Sequence, residues 1–134
     1  MSEKGASACP TLVPYEYLKV EGASLGLPAV SVAKVDSVGL AGLKSLELMK
    51  AGGLTMAFGT DLLGHMHGRQ SGEFTIRQQV QPPLEVLQGA TWTAAQLMRQ
   101  EVNLGRIAAG AFADLLLVEG ELERDLAPLA TPET

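Results

Sequence analysis

Cysteine is nearly absent from this chain of 134 residues, in which Cys9 is the only one. A single cysteine excludes an intrachain disulfide and a zinc site built from cysteine ligands. Beside an apolar segment, a lone cysteine is most often a small buried side chain, so we expect Cys9 to be buried. Aromatic residues are also few, with one Trp, two Tyr and three Phe. A core must therefore consist mainly of aliphatic side chains.

Basic clusters and long apolar runs are lacking as well. The net charge is -5, with ten Lys and Arg against fifteen Asp and Glu, and no basic run occurs. Nucleic acids and anionic membrane surfaces are therefore not expected partners. No apolar run is long enough to span a bilayer, and the first residues lack the apolar core of a signal peptide. We expect a cytoplasmic globular protein.

The order of the main segments predicts the α/β class. Residues 9–14 form a short apolar run bounded by prolines, which predicts a buried strand. Residues 15–26 and 38–50 carry helical spacing, and Gly52 with Gly53 ends the second helix. Residues 54–59 are almost continuously apolar, as in a parallel strand buried on both faces. Strand, helix, helix and strand form a βαβ pattern.

The remaining segments predict short helices and a pair of strands. Thr91 or Thr93 is the expected N-cap of the last of these helices. An open sheet of two strands leaves unpaired edges, so the pattern indicates part of a larger fold. The expectations are a helix end within 1–8, a loop at 27–37, helices at 73–80, 83–89 and 91–100, strands at 104–107 and 113–118, and a frayed end at 127–134.

Asp61 is the main candidate functional residue, because it directly follows the strand predicted at 54–59. Functional groups of α/β folds concentrate at the carboxyl ends of such strands. A helix N-cap or a turn aspartate is the alternative. His65 and His67 follow closely and, with Asp61, could hold a divalent metal. Because both lie in a glycine-flanked loop, surface or substrate-facing roles are favoured for the two histidines.

Other polar residues have ordinary interpretations. Arg69, Gln70 and Glu73 are predicted to lie in a solvated loop and helix start. Arg106 could be an anion site, but a surface role is favoured. Asp114 is predicted to be a turn residue that precedes a strand.

Two segments resemble the amidohydrolase superfamily. Residues 52–61, Gly-Gly-Leu-Thr-Met-Ala-Phe-Gly-Thr-Asp, resemble strand eight of its barrel with the metal-side aspartate, here Asp61. Residues 90–118 are similar to the C-terminal signature in which the chain leaves the barrel and completes a small β-sandwich. The segment at 10–13 resembles strand seven. The resemblance thus implies a partial (β/α)8 TIM barrel over 1–102 and strands of a β-sandwich over 103–134.

Residues 60–74 resemble the imidazolonepropionase-like branch of the superfamily, which includes Xaa-Pro dipeptidases. The resemblance implies a small-molecule or dipeptide substrate and a divalent metal, usually zinc, which activates a water. It implies that Asp61 is a metal-side and catalytic residue that accepts the proton of this water. Substrate contacts by His65 and His67 are a further expectation.

Much of the family's active site has no counterpart in the chain. Missing are the histidine pair after strand one, the metal-bridging residue of strand four and the histidines of strands five and six. We therefore expect a C-terminal fragment that binds no metal and has no hydrolase activity by itself. A non-catalytic module that self-associates into a homo-oligomer, and a private metal site of Asp61, His65 and His67, are the alternatives.

Overall fold

The structure, a computed structural model, describes residues 5–131 of the chain. Helices dominate it, and two short strands form its sheet. The elements are β1 (Ser7–Ala8), α1 (Val13–Glu21), α2 (Ala29–Ala51), β2 (Thr55–Met56), a 3-10 helix (Gly64–Arg69), α3 (Gly72–Gln78), α4 (Pro83–Gln88), a π turn (Gly89–Thr93), α5 (Ala94–Leu97) and α6 (Ala127–Ala130).

The two strands are parallel and are connected by the α1–α2 helix pair. Ser7 pairs with Thr55, and Ala8 pairs with Met56. One further backbone bond, from Ala57 N–H to the carbonyl of Ala8 (2.9 Å), extends the contact beyond the strands. The βαβ pattern expected from the sequence is therefore confirmed, because a parallel pair needs such a crossover.

The first strand lies earlier than expected. The prediction of a strand at 9–14 is wrong, since β1 covers Ser7–Ala8 and α1 begins at Val13. Pro14 stands in the first turn of α1, where a missing N–H costs nothing and a fixed φ favours the helix. Cys9 is exposed, so the prediction that it is buried is also wrong. It lies just beyond β1, at the end of the sheet pair.

Helix α2 begins nine residues earlier than its spacing indicated. The loop expected at 27–37 is wrong, because α2 starts at Ala29 directly after Pro28. Only Val35 and Leu46 of this 23-residue helix are buried. Such a narrow buried face produces little hydrophobic periodicity, so the sequence signal for its first part was weak. The expected end of α2 at Gly52 is confirmed, whereas α1 ends at Glu21, five residues before the end of the helix expected at 15–26.

Two small apolar clusters form the core. One consists of Leu12, Leu46 and Met56 and joins α2 to the sheet. The other consists of Val86, Leu126 and Leu129 and ties the end of the described chain to α4. The helices expected at 73–80 and 83–89 are confirmed as α3 and α4, separated at Gln81 and Pro82.

The third of these helices is continuous with α4. Thr91 lies within the π turn that links α4 to α5, and its hydroxyl donates to the Leu87 carbonyl (2.7 Å). Thr93 occupies the N-cap position of α5, one of the two positions predicted, but its side chain makes no capping hydrogen bond. Gly89, in the same turn, accepts a hydrogen bond from Phe58 N–H (3.0 Å) beside β2. This hydrogen bond joins the π turn to the segment that follows β2.

The described chain after residue 103 departs from the sequence-based prediction. No strand forms at 104–107 or 113–118 within residues 5–131. A strand needs a ladder partner, and the described chain offers none there. Leu115, Leu116 and Leu117 are instead 68%, 79% and 99% exposed. Asp114 therefore precedes no strand. The frayed end expected at 127–134 is wrong over 127–130, where α6 forms and Leu129 is buried. The helix end expected within 1–8 is replaced by β1 at Ser7–Ala8, and the parts of these two predictions at 1–4 and 132–134 lie outside the described residues.

None of the helices within residues 5–131 has both the length and the apolar character that a bilayer crossing requires.

Candidate functional site

The carboxyl ends of β1 and β2 meet at one edge of the sheet because the strands are parallel. Two loops leave this edge, residues 9–12 after β1 and residues 57–63 after β2. Gly59 packs so closely against Cys9 that a Cβ at this glycine would overlap the Cys9 sulfur. The two loops are therefore in direct contact, and we call this region the carboxyl edge.

Asp61 lies on the second of these loops, five residues beyond Met56. Its φ is 51°, in the left-handed region that few residues other than Gly, Asn and Asp adopt. The next residue, Leu62, is only 4% exposed and anchors the loop, whereas Asp61 is exposed. The next helix begins at Gly64 with Leu63 as N-cap, so Asp61 is not a helix cap. Its carboxylate is thus presented at the carboxyl edge by a constrained backbone.

His65 and His67 follow on the 3-10 helix Gly64–Arg69, and both are exposed. The ring of His65 meets the edge of Tyr17 on α1, with a centroid distance of 6.2 Å. Within residues 5–131, no three His, Cys, Asp or Glu side chains come together as a metal site would require. The private metal site of Asp61 and the two histidines is therefore wrong.

The 3-10 helix is held against α1 by a polar cluster. The Arg69 guanidinium lies 5.6 Å from the centre of the Tyr17 ring and pairs with Glu21 (3.2 Å). The Tyr17 hydroxyl donates to Glu21 (2.8 Å), and this bond, with burial, raises the pKa of Tyr17 above its usual value. These contacts border a groove of about 440 Å³ between α1 and α3. They fix the loop that follows Asp61 onto the helix that follows β1.

Glu73 and Arg77 form a buried ion pair on α3, with side chains 0% and 1% exposed. Arg77 Nε donates to Glu73 Oε1 (2.9 Å). The other oxygen of Glu73 accepts the backbone N–H groups of Leu12 (2.8 Å) and Val13 (2.7 Å). Burial raises the pKa of Glu73, against the opposing effects of Arg77 and of the two backbone donors. The pair thus connects α3 to the start of α1.

Arg77 extends this connection to both strands. Its terminal nitrogen donates to the carbonyl of Pro10, in the loop after β1. Its guanidinium lies 5.1 Å from the centre of the Phe58 ring, in the segment after β2. Phe58 in turn stacks on Phe74, with ring centroids 4.3 Å apart. One buried guanidinium therefore contacts both loops of the carboxyl edge.

The sequence interpretation missed this pair, because Glu73 was assigned to a solvated helix start. The available signal was the i, i+4 spacing of Glu73 and Arg77, which favours an ion pair on any helix. Spacing cannot reveal burial, since the covering groups come from residues sixty positions away. Arg106 is exposed above the Trp92 ring (5.7 Å), in agreement with the surface role favoured for it.

Comparison with known proteins identifies the fold and the family. A sequence model of the amidohydrolase family matches residues 11–133. The chain belongs to the amidohydrolase family. Among solved structures, it is 47% identical to a prolidase complexed with N-methylphosphonate-L-proline, with a TM-score of 0.89, covering 98% of this chain and 32% of that one.

Two further amidohydrolase structures are similar. One is described as an amidohydrolase, with 45% identity, a TM-score of 0.88, and coverage of 96% of this chain and 31% of that one. The other is a Xaa-Pro dipeptidase with bound methionine in its active site, with 31% identity, a TM-score of 0.82, and coverage of 97% and 32%. No curated protein matches the chain.

The chain spans about a third of the length of these solved relatives. The expected resemblance to the Xaa-Pro dipeptidase branch is confirmed, and the α/β pair described above corresponds to a piece of the relatives' fold. Amidohydrolases generally use divalent metals. Asp61, as one exposed carboxylate, is a donor suited to a metal, but residues 5–131 bring no second and third donor beside it.

Proposed function

We propose that this chain is the C-terminal part of a metal-dependent amidohydrolase that hydrolyses C–N bonds, and that Asp61 is its catalytic carboxylate. The observation that supports the proposal is the placement of Asp61. It lies in a left-handed conformation at the carboxyl edge of a parallel strand pair. A constrained, exposed carboxylate at such an edge is typical of a reacting group. In this proposal, residues 1–102 complete a TIM barrel and residues 103–134 complete a β-sandwich.

The proposed role of Asp61 is proton transfer. A carboxylate can accept the proton of the attacking water and then donate it to the leaving amine. Its exposure keeps both oxygens available for this exchange, because the fold does not engage them in its core. A divalent metal, by our proposal zinc, supplies the acidified water when it is bound. Asp61 offers it one oxygen ligand, and the remaining ligands lie outside the described residues.

Dipeptides of the Xaa-Pro class are the proposed substrates. Support comes from similarity to the prolidase and to the Xaa-Pro dipeptidase, of which this chain matches a third. His65 and His67 lie on the loop directly after Asp61 and are the proposed substrate contacts. Because Tyr17 meets the ring of His65, His67 is the freer of the two to reach a ligand.

A graft tests the proposal in a complete barrel. The chain replaces the matching 32% of the prolidase to which it is 47% identical. Hydrolysis of Xaa-Pro dipeptides is measured with zinc present, together with metal content and circular dichroism. We expect the graft to hydrolyse these dipeptides, and D61N to lower kcat by about 10²–10⁴-fold. Asparagine keeps the shape and the tolerance of positive φ, so it removes only the carboxylate.

Asp114 provides the matched control, because it is an exposed aspartate outside the two loops of the carboxyl edge, residues 9–12 and 57–63. D114N should leave kcat within about twofold, as is usual for an exposed site outside the reacting groups. A folded, metal-loaded graft without activity would contradict the proposal, and so would a D61N graft with full activity. The chain alone, supplied with zinc, should show no hydrolysis, and zinc-dependent hydrolysis by it would also count against the proposal.

A self-associating module is the second candidate. The exposed side chains of Leu115, Leu116 and Leu117 favour it, because contiguous apolar surface usually meets a partner. Size-exclusion chromatography with light scattering separates the two candidates. A monodisperse small oligomer of the chain supports the module, whereas aggregation supports an incomplete barrel.

A further inference from the structure

The buried Glu73–Arg77 pair lies where the two loops of the carboxyl edge come together. Glu73 holds Leu12 and Val13 through their backbone N–H groups. Arg77 holds the Pro10 carbonyl and stacks over Phe58. All of these groups belong to the segments that leave β1 and β2, and both partners of the pair are at most 1% exposed. The pair is therefore a rigid link between the two strand ends.

We propose that Glu73 and Arg77 are positioning residues that set the place and direction of Asp61 at the carboxyl edge. The inference rests on the proposed function of Asp61. Neither residue reaches the reacting atoms in this proposal. They act through Phe58, three positions before Asp61, and through the loop that packs on Gly59.

Stability alone gives a poor account of the pair. A buried ion pair costs much desolvation and is often replaceable by apolar residues with no loss of stability. Apolar residues could fill the same volume, but they could not hold backbone groups of a neighbouring segment in fixed orientations through hydrogen bonds. Three backbone groups of the loop after β1 are bound by N–H and oxygen atoms in fixed positions. A planar guanidinium can meet a carboxylate, a carbonyl and a ring face at once, as a lysine cannot.

Asp61 needs such support because its own backbone is strained. A side chain at a φ of 51° is unfavourable by about 1 kcal/mol or more and persists only when neighbours fix the loop. On the far side, Leu62 is buried and fixes the chain after Asp61. On the near side, Phe58 is fixed by Phe74 and Arg77. The Glu73–Arg77 pair therefore fixes the chain between β2 and Asp61, through Phe58.

The test uses the prolidase graft described above and compares three changes. R77M keeps a side chain of similar apolar volume but removes the guanidinium group and its hydrogen bonds. R77K keeps the charge but loses the planar contacts. R124M is the control, because Arg124 also pairs with a glutamate on its own segment (2.8 Å) but is 82% exposed. Steady-state kcat and KM for a Xaa-Pro dipeptide are measured at low temperature, with kcat expressed per bound metal.

We expect R77M to lower kcat by about 10–100-fold, because a misplaced catalytic group costs that much even when substrate binding is intact. KM should stay within about threefold, because the substrate contacts are unchanged. R77K should lie between R77M and the parent. R124M should match the parent in both kcat and KM.

A metal-loaded R77M graft with parental kcat would overturn the inference. If R77M yields no folded protein, R77K decides: a lower kcat with unchanged KM supports positioning, and a parental kcat overturns it. Failure of the proposed function has a different signature, since D61N would then keep its activity. Loss of activity in D61N together with parental kcat in R77M refutes the positioning role alone.

Discussion

Replacing Arg77 by methionine should strongly destabilise this 134-residue chain at neutral pH. Arg77 is 1% exposed and forms an ion pair with Glu73, a hydrogen bond to Pro10 and a contact with the Phe58 ring. Methionine fills a similar apolar volume, so little of the effect should come from a cavity. The loss comes instead from the polar groups that remain, the Glu73 carboxylate and the Pro10 carbonyl.

The expected magnitude follows from these two groups. Removing one partner of a buried ion pair costs about 3–5 kcal/mol, and a buried carbonyl without a donor accounts for about 1–3 kcal/mol of such losses. We expect a total near 4 kcal/mol, a large part of the ~5–15 kcal/mol that keeps a domain folded. R124M removes an arginine whose side chain is 82% exposed. It should cost under about 1 kcal/mol.

The cost of R77M should depend on pH. Burial already holds the pKa of Glu73 above its usual value, and loss of Arg77 should raise this pKa further. A carboxyl with a higher pKa in the folded chain favours folding below its unfolded value of about 4.3. This contribution is lost as the pH rises through the folded pKa. R77M should therefore lose less stability near pH 4 than at pH 7.

Urea denaturation followed by circular dichroism at both pH values measures these differences. In the R77M background, E73Q should recover part of the loss at pH 7, because it removes the unpaired buried carboxylate while its amide oxygen can still accept the Leu12 and Val13 N–H groups. The reasoning fails if R77M costs no more than R124M at pH 7. It also fails if the cost of R77M is the same at both pH values.

Four other substitutions probe the backbone, each measured by thermal denaturation. G39A should stabilise α2 by about 1 kcal/mol, because alanine favours a helix more than glycine does and the added Cβ would lie 3.8 Å from its nearest neighbour. In G42A the added Cβ would overlap the buried Leu12 side chain, so G42A should be about 1–3 kcal/mol less stable than G39A. Equal melting temperatures for the two would contradict the packing described for α2. R99G should raise stability by about 0.5–1 kcal/mol, since Arg99 is exposed with a φ of 57°, and a lower melting temperature would refute this. D61G should stabilise the chain by a similar amount, because glycine adopts this positive φ without strain, and should abolish graft activity if Asp61 is the catalytic carboxylate that we propose. Destabilisation by D61G would show that the Asp61 side chain supports the fold.

The sequence was most informative about the second strand and Asp61. The apolar run at 54–59 and the glycines before it predicted a parallel strand, and β2 forms there. The same residues carried the family resemblance, which the comparison confirmed. Both signals are local, because an apolar run and a short motif each consist of adjacent positions in the sequence.

Long-range packing limited the rest. Helix α2 was predicted from residue 38 because its first part buries only Val35 and therefore has little periodicity. The strands expected after Leu104 had the right composition but no ladder partner within residues 5–131. Composition alone cannot supply the second strand that makes a ladder. In each case the sequence contains the residue types but does not reveal the segment that packs against or pairs with them.

By itself, the sequence determined the α/β class, the family and the place of Asp61 after a strand. Only the tertiary structure decided that Asp61 has a left-handed backbone, that His65 meets Tyr17 and that Cys9 is exposed. It alone revealed the Glu73–Arg77 link across the carboxyl edge. The physical reason is that spacing along a helix fixes which side chains share a face. Which residues cover that face depends on segments some sixty residues away in the sequence. Because these segments bury the i, i+4 pair of Glu73 and Arg77, the pair connects α3 to the loop after β1.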